Sequence, residues 1–464
     1  MQNILLLALC LGLSILSSCE ITEVNVDPGR PTKVLLKQQL PIALLQTASN
    51  QSSIAGRAAA GFVQYFSGTG CWPNYYMPPA TLDLYWAEGM YAGALKDAQN
   101  IVAQAELEDQ PHYRGIARIL LAENYGMLAS MFGEVPFSEA LAGNEQLNPR
   151  YDTQKEVYEG VQKLLDLAIT DLTQSIREGG PAEDDLIFGG DASAWIATAY
   201  ALKVRYAMHL SRRDPKAATK ALQWLENGAF SSLETQADFQ WDQSQRAPNP
   251  LAEYAIDRPY TMVIDEAFHD LMENRNDPRI DFYMRYDGNE WMYFMANEPL
   301  RWSDPNAEIP LISYAELMFL KAEALLYTAA TDVEIEQAMQ IAIRANMTDV
   351  GVPGTEIDMY LGQWGQFPMG LDEDGKLAYI LNEAYFAYYG MAFQQVWTNF
   401  RRTGLPALQA QSGSYSSYNP SGIIPRRFLY PESEQTTNLT NWKEASMRQG
   451  GALLDADTWA FADF

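Results

Sequence analysis

The clearest pattern along the chain is a recurring apolar stripe at three- and four-residue steps. Between residues 153 and 176 it runs through Val157, Val161, Leu164, Leu165, Ala168, Leu172 and Ile176, which places these side chains on one helical face. Thr153 and Glu156 have capping-box spacing at its start, and Gly179-Gly180-Pro181 stops it. Residues 112–131 carry a second such helix ending at Phe132-Gly133. Asp191 is placed to cap a third, which runs to about Leu210 before Pro215. A fourth spans 313–327, where Ala315, Ala322 and Ala324 permit close helix contact. Two more are predicted at 332–346 and 376–402.

These helices fall into pairs: 84–107 with 112–131, 153–178 with 192–211, and 313–328 with 332–346. Pairs of this size predict an all-α, tetratricopeptide-like array, in which each pair buries its stripe against the next. Long insertions interrupt the period, and few segments alternate as strands. The insertions at 67–80, 283–310 and 411–442 exceed ordinary connection length, and loops of that size are usually functional.

The chain has 464 residues, enough for two or three ordinary domains or one large helical array. Hydrophobic residues make up 47% and charged residues 20%, which excludes bulk disorder. With 59 acidic and 32 basic residues, the net charge of -27 argues against a nucleic-acid partner, because a phosphate backbone would be repelled. Cys10, Cys19 and Cys71 provide neither a disulfide framework nor a CxxC zinc site. His112, His209 and His269 lack metal-binding spacing, so no metal or cofactor is expected. Cys71, beside Trp72, fits a small packed residue better than a nucleophile.

The apolar run Ile4 to Leu16 is too short to span a bilayer comfortably, but it has the length of a signal-peptide core. The following Leu16-Ser17-Ser18-Cys19 resembles a bacterial lipobox, although Met1-Gln2-Asn3 lacks the usual Lys or Arg. This predicts a signal peptide over 1–18, a lipidated Cys19 with a flexible tether over 19–32, and a single helical domain over 33–464.

Several charged motifs suggest structure rather than chemistry. Arg401-Arg402 fits a pair that bonds carboxylates and helix ends, and Asn276-Asp277-Pro278-Arg279 fits a turn with a charge pair. Asp372-Glu373-Asp374-Gly375 lacks the spacing of a calcium loop and fits a solvated acidic turn. Trp86, Trp195, Trp224, Trp397 and Trp442 fall on or beside helical stripes and are expected in the core.

The candidate ligand-binding residues are Trp72, Asn74, Tyr75 and Tyr76 in one loop, and Asn289, Trp291, Tyr293 and Trp302 in another. Rings among Pro, Gly and Asn have two readings: they pin long loops to the scaffold, or they face a ligand. A sugar ring would suit the second, with its C–H face against an aromatic ring and its hydroxyls against Asn74 and Asn289. No carboxylate pair stands out for hydrolysis; Asp287, Glu290, Glu298 and Asp304 are the candidates in the aromatic loops.

Ordered landmarks resemble the SusD/RagB family of nutrient-binding outer-membrane lipoproteins of Bacteroidetes. They begin with the lipobox and Asn25-Val26-Asp27-Pro28, then Tyr125 to Phe137 (YGMLASMFGEVPF) and Tyr151 to Tyr158. Asp185 to Trp195 and Asn276 to Arg279 follow, then Ile312 to Ala324, Gln395 to Pro406 (QVWTNFRRTGLP), and Pro425 to Pro431. The resemblance implies lipid anchoring at the outer membrane and a SusC-like TonB-dependent transporter as partner. It also implies an oligosaccharide cargo, with peptide as the alternative, and a binding rather than catalytic role. A helical-barrel glycoside hydrolase also fits the acidic, aromatic composition.

Overall fold

The computed structural model describes residues 34–176, 180–181, 183–245, 247–293, 300–411 and 413–462. The expected lipidation site, Cys19, lies outside these residues, as does Glu298. Two helices open the described chain, α1 (Leu36–Gln51) and α2 (Ile54–Phe62). A wide helical segment, Tyr85–Ala94, then runs into α3 (Leu95–Leu107), and α4 (Pro111–Phe132) returns against it.

The array continues with α5 (Gln154–Ser175), α6 (Ala192–Met208) and α7 (Ala217–Asn227), each packed on its predecessor. After α8 (Pro250–Asp257), α9 (Glu266–Glu273) and the short α10 (Ile280–Tyr283), α11 (Tyr314–Tyr327) pairs with α12 (Asp332–Val350). The remaining helices are α13 (Gly354–Trp364), α14 (Glu373–Ala387), α15 (Phe393–Thr403), α16 (Glu432–Thr437) and α17 (Leu439–Arg448). Strands among the described residues are two-residue ladders. β1 (Val135–Pro136) pairs with β2 (Tyr151–Asp152), β3 (Asp238–Phe239) with β6 (Ile309–Pro310), and β4 (Arg285–Tyr286) with β5 (Trp291–Met292), all antiparallel. No helix among the described residues is long and apolar enough to cross a membrane.

The three expected pairs form, and the all-α, tetratricopeptide-like reading holds. On α5, Val157, Val161, Leu165, Ala168 and Leu172 are fully buried, whereas Leu164 is half-buried and Ile176 is exposed at the helix end. The capping box is present: Glu156 N donates to Thr153 Oγ1 at 3.3 Å, and Thr153 N donates to Glu156 Oε2 at 2.8 Å. Asp191 Oδ1 accepts from Ser193 N and Ala194 N at 2.8 and 3.2 Å, which opens α6 as its spacing predicts. Trp86, Trp195 and Trp397 are buried, but Trp224 and Trp442 are only half-buried.

The predicted helix over 376–402 is instead two helices, α14 and α15, broken at Tyr388–Ala392. Gly390 takes φ +83° there, and a Cβ on it would lie 2.2 Å from Trp302 Cδ1. The bend therefore makes room for the indole of Trp302, and periodicity along one segment carries no trace of a ring arriving from 88 positions upstream.

Buried arginines join the pairs. Arg205 on α6 forks onto Glu316 of α11 at 2.6 and 2.8 Å and onto Glu123 of α4 at 2.9 and 3.1 Å, and it also donates to Leu311 O at 2.8 Å. Burial opposes its charge, but Glu316 and then Glu123 outweigh that and raise its pKa. Arg402 pairs with Glu323 and donates to Asn399 Oδ1 and Ser211 Oγ. Arg401 has its guanidinium 3.8 Å over Trp397 and donates to carbonyls, including Ser130 O. Arg279 forks onto Asp277 and reaches Asn346 Oδ1 at 2.9 Å. These motifs are structural, as their spacing suggests. Asp372 Oδ1 accepts from Gly375 N at 2.9 Å, so that acidic turn starts α14.

Substituting Gly390 by Ala should cost about 2–4 kcal/mol, combining left-handed strain with overpacking against Trp302. A lowered urea midpoint with an unchanged m-value would verify it; unchanged stability would refute the account of the bend.

His209 is buried between Tyr158 Oη at 3.1 Å and Gln395 Oε1 at 2.8 Å, and burial pushes its pKa down to about 3. Because the unfolded imidazole titrates near its ordinary value of about 6.5, this neutral histidine contributes stability above that pH and loses it as pH falls towards 3. Asp238 has the opposite sign: burial pushes it up to about 7, so its contribution is lost as pH rises. His209→Gln should flatten the decline in thermal midpoint between pH 6.5 and 5, while Asp238→Asn should steepen it. Parallel pH profiles in all three proteins would overturn this assignment.

Candidate functional site

The 67–80 and 283–310 loops meet the scaffold through a shared irregular ladder. Phe66 bridges Ile264, Ser67 N donates to Val263 O, and Gly70 N donates to Thr261 O, both at 2.9 Å. On the other edge of 261–264, Val263 bridges Met292 and Ile264 N donates to Trp291 O at 2.9 Å. The β4–β5 hairpin adds the last strand. Its turn is Asp287-Gly288-Asn289-Glu290, with Gly288 at φ +104° and Asp287 Oδ1 accepting from Asn289 N and Glu290 N at 2.8 and 2.9 Å. These backbone donors hold the Asp287 carboxyl below its ordinary pKa.

Close approach fixes the first loop. A Cβ on Gly61 of α2 would sit 1.7 Å from Cys71 O, so only glycine lets this loop dock. Cys71 is fully buried and burial pushes its thiol up to about 12, which suits packing and opposes nucleophilic chemistry.

The candidate residues divide by burial. Tyr75, Tyr293 and Trp302 expose no more than 1% of their surface, so their rings are closed to a ligand in this conformation. Tyr75 packs edge-on to Phe62 at 5.9 Å, Tyr293 packs on Phe66 at 5.4 Å and donates its hydroxyl to Trp302 O, and Trp302 fills the space beside Gly390. In this conformation they pin the loops, the first of the two readings such rings allow, rather than face a ligand. Trp72 and Trp291 are half-buried, whereas Asn74, Tyr76 and Asn289 are exposed.

The exposed set forms two patches. In one, Tyr76 leans towards Tyr418 of the third long loop at 6.4 Å, and Asn74 Oδ1 accepts from Tyr76 N at 3.3 Å. In the other, Trp291 stacks on His269 of α9 at 4.1 Å and 23°, and Tyr286 leans on Trp291 at 5.4 Å. The second patch borders a groove of about 550 Å³, whose lining includes Ser67, Glu266, Asp270, Asn289 and Glu290. Ser67 is the groove's contribution from the first loop, so Trp72, Asn74 and Tyr76 do not share it with Trp291.

Tyr286, His269 and Tyr418 were not among the expected residues. Asp287-Gly288 is a hairpin signal, but its two-residue turn would pair Tyr286 with Asn289, whereas the four-residue turn formed here pairs it with Trp291. The stack of His269 on Trp291 crosses two elements and has no local signature.

Among the described residues, one His–carboxylate grouping could hold a metal: His269, Asp270 and Glu273, with ligand atoms within 4.8 Å of one another. Of the carboxylates expected in the loops, Asp287 is used by the hairpin turn and Asp304 Oδ1 accepts from Asn306 N at 2.8 Å. Glu290 reaches the groove.

Comparison with known proteins agrees with this architecture. The SusD-like family, described as starch-binding associating with outer membrane, matches residues 28–431. No curated protein matches the chain. A SusD homolog from Bacteroides uniformis superposes with a TM-score of 0.79 at 20% identity, covering 92% of this chain and 99% of that one. A chitin-binding SusD homolog from Flavobacterium johnsoniae gives 0.78 at 18% identity, with the same coverage of 92% and 99%. A chitin-binding protein gives 0.76 at 22%, covering 92% of this chain and all of that one. With this family matching residues 28–431, most of the chain, and with solved SusD homologs sharing its helical fold, the chain belongs to the SusD-like family.

Proposed function

We propose that this protein is a lipid-anchored, cell-surface binding protein that holds an oligosaccharide on its aromatic loops and passes it to a TonB-dependent outer-membrane transporter. The observation that carries the reading is the His269–Trp291–Tyr286 stack beside an open groove. Braced rings offer a flat apolar face to a sugar at low ordering cost, and Asn289 supplies amide groups for hydroxyls. The family description and the names of two similar structures support a glycan over a peptide. In this reading residues 1–18 are removed, Cys19 carries lipid, 20–32 form the tether, and 33–464 fold as one body. Its role is binding without catalysis.

A glycan-array and peptide-panel screen on residues 20–464 identifies the ligand class; a hit confined to peptides would refute the glycan reading, and cleavage of a bound ligand overnight would refute the non-catalytic one. On a glycan hit, Trp291→Ala should lose at least about 1 kcal/mol of binding, roughly fivefold in Kd by calorimetry, with folding intact by circular dichroism. Unchanged affinity in both Trp291→Ala and Trp72→Ala would remove these loops from the binding site.

Anchoring and partnership have their own check. Cys19→Ala should release soluble protein or leave the precursor unprocessed, and native protein extracted from membranes should carry a barrel-sized companion. Membrane retention without an N-terminal lipid, or repeated isolation as a lone monomer from intact outer membranes, counts against them.

A further inference from the structure

The groove beside the aromatic stack differs in charge pattern from a second cleft of similar size. Its lining includes Glu266, Asp270 and Glu290 but neither Lys nor Arg. Glu266 and Asp270 project from one turn of α9, and Glu290 stands at the hairpin turn beside Trp291. Among the described residues none of the three has a Lys or Arg partner within ion-pair distance; Asp270 meets the imidazole of His269 at 3.3 Å, with the Glu273 carboxylate also close by. A second cleft of about 460 Å³, between α5, α6 and α7, shows the contrast. There Asp166 pairs with Lys203 at 2.6 Å and Asp214 with Lys220 at 2.7 Å. Of the cations on neighbouring segments, Arg285 donates to Asp281 O and Met284 O, Arg57 and Arg258 lie over Tyr254, and Arg275 pairs with Glu383.

Resting on the glycan reading above, we propose that this groove selects glycans bearing free, protonated amino groups, such as deacetylated amino-sugar oligomers. The aromatic stack gives a surface for the ring, and the three carboxylates line the same groove. Glu290 is the sequence neighbour of Trp291, and Asp270 contacts the imidazole stacked on that indole. A carboxylate in contact with the stacked imidazole suits an amine attached directly to a sugar ring that lies on the stack. The ammonium gains attraction from the carboxylates and from the ring faces together. A uronic or sulfated glycan would meet three like charges.

The test compares glucosamine pentamer with its fully N-acetylated counterpart by calorimetry at pH 6 and low salt. The amine form should bind at least tenfold tighter, and the preference should shrink with added salt. In Glu266→Gln/Glu290→Gln, with circular dichroism unchanged, the ratio should fall towards one. Equal or tighter binding of the N-acetylated pentamer, or a ratio unaffected by the double variant, overturns amine selection while leaving the aromatic glycan site standing. Tighter binding of a lysine-rich peptide than of either pentamer overturns it in favour of a peptide cargo. If neither these pentamers nor any neutral oligosaccharide binds, both this inference and the glycan reading fall.

Discussion

One buried guanidinium sets the frame on which everything else hangs. Arg205 is satisfied by carboxylates from two other helices, Glu123 and Glu316, and by the carbonyl of Leu311. A charge this deep is tolerated only with close partners, and removing one partner from such a set typically costs about 3–5 kcal/mol. The set therefore constrains α4, α6 and α11 to one mutual arrangement more than it adds net stability. Tyr206 tightens it further by donating to Glu123 Oε2 at 2.7 Å. Because Leu311 follows directly on β6, the same arginine fixes where the chain leaves the long aromatic insertion and re-enters the helical array.

The other buried arginines repeat this logic at the edges of the array. Arg401 takes Ser130 O from the end of α4, and Arg427 takes Leu453 O and Gly451 O after α17. Guanidinium groups can satisfy several carbonyls at once, which suits irregular segments whose backbone has no ladder partner. The three long loops are thus tied to the helices through side-chain donors and buried rings, and the rings left outside stand on a rigid support.

Much of the helical frame was legible because its signals are local. A stripe at 3.6-residue spacing, Thr153 with Glu156, and Asp191 ahead of its helix all act within a few residues of one another. The break at Gly390 and the role of Trp302 depend on a contact between distant segments, and no period records it. The candidate rings divided for the same reason. Composition placed Trp72, Tyr75, Tyr293 and Trp302 in loops, but whether a loop ring faces in or out is decided by which pocket of the core it meets. Tyr293 found Phe66 and Trp302 found Gly390. Tyr76 extends outward and meets only Tyr418 among aromatic rings of the described residues.

Backbone strain marks the first of these loops and the turn beside it at 258–261. Trp72, Tyr75 and Tyr260 hold φ of +49°, +57° and +64°, a region that bulky side chains rarely occupy and that costs of order 1 kcal/mol or more each. Burial of Tyr75 against Phe62 can offset its share. Trp72 is only half-buried and Tyr260 is 58% exposed, so packing compensates them less. Their conformations are over-determined by turn bonds and the ladder instead: Tyr75 N donates to Trp72 O within its turn, while Thr261, next to Tyr260, both donates to Arg258 O and accepts from Gly70. These turn bonds and the bond from Gly70 to Thr261 thus also hold rings at angles they would not choose alone. Rings held in this way have already lost in folding the ordering entropy that mobile loops would keep.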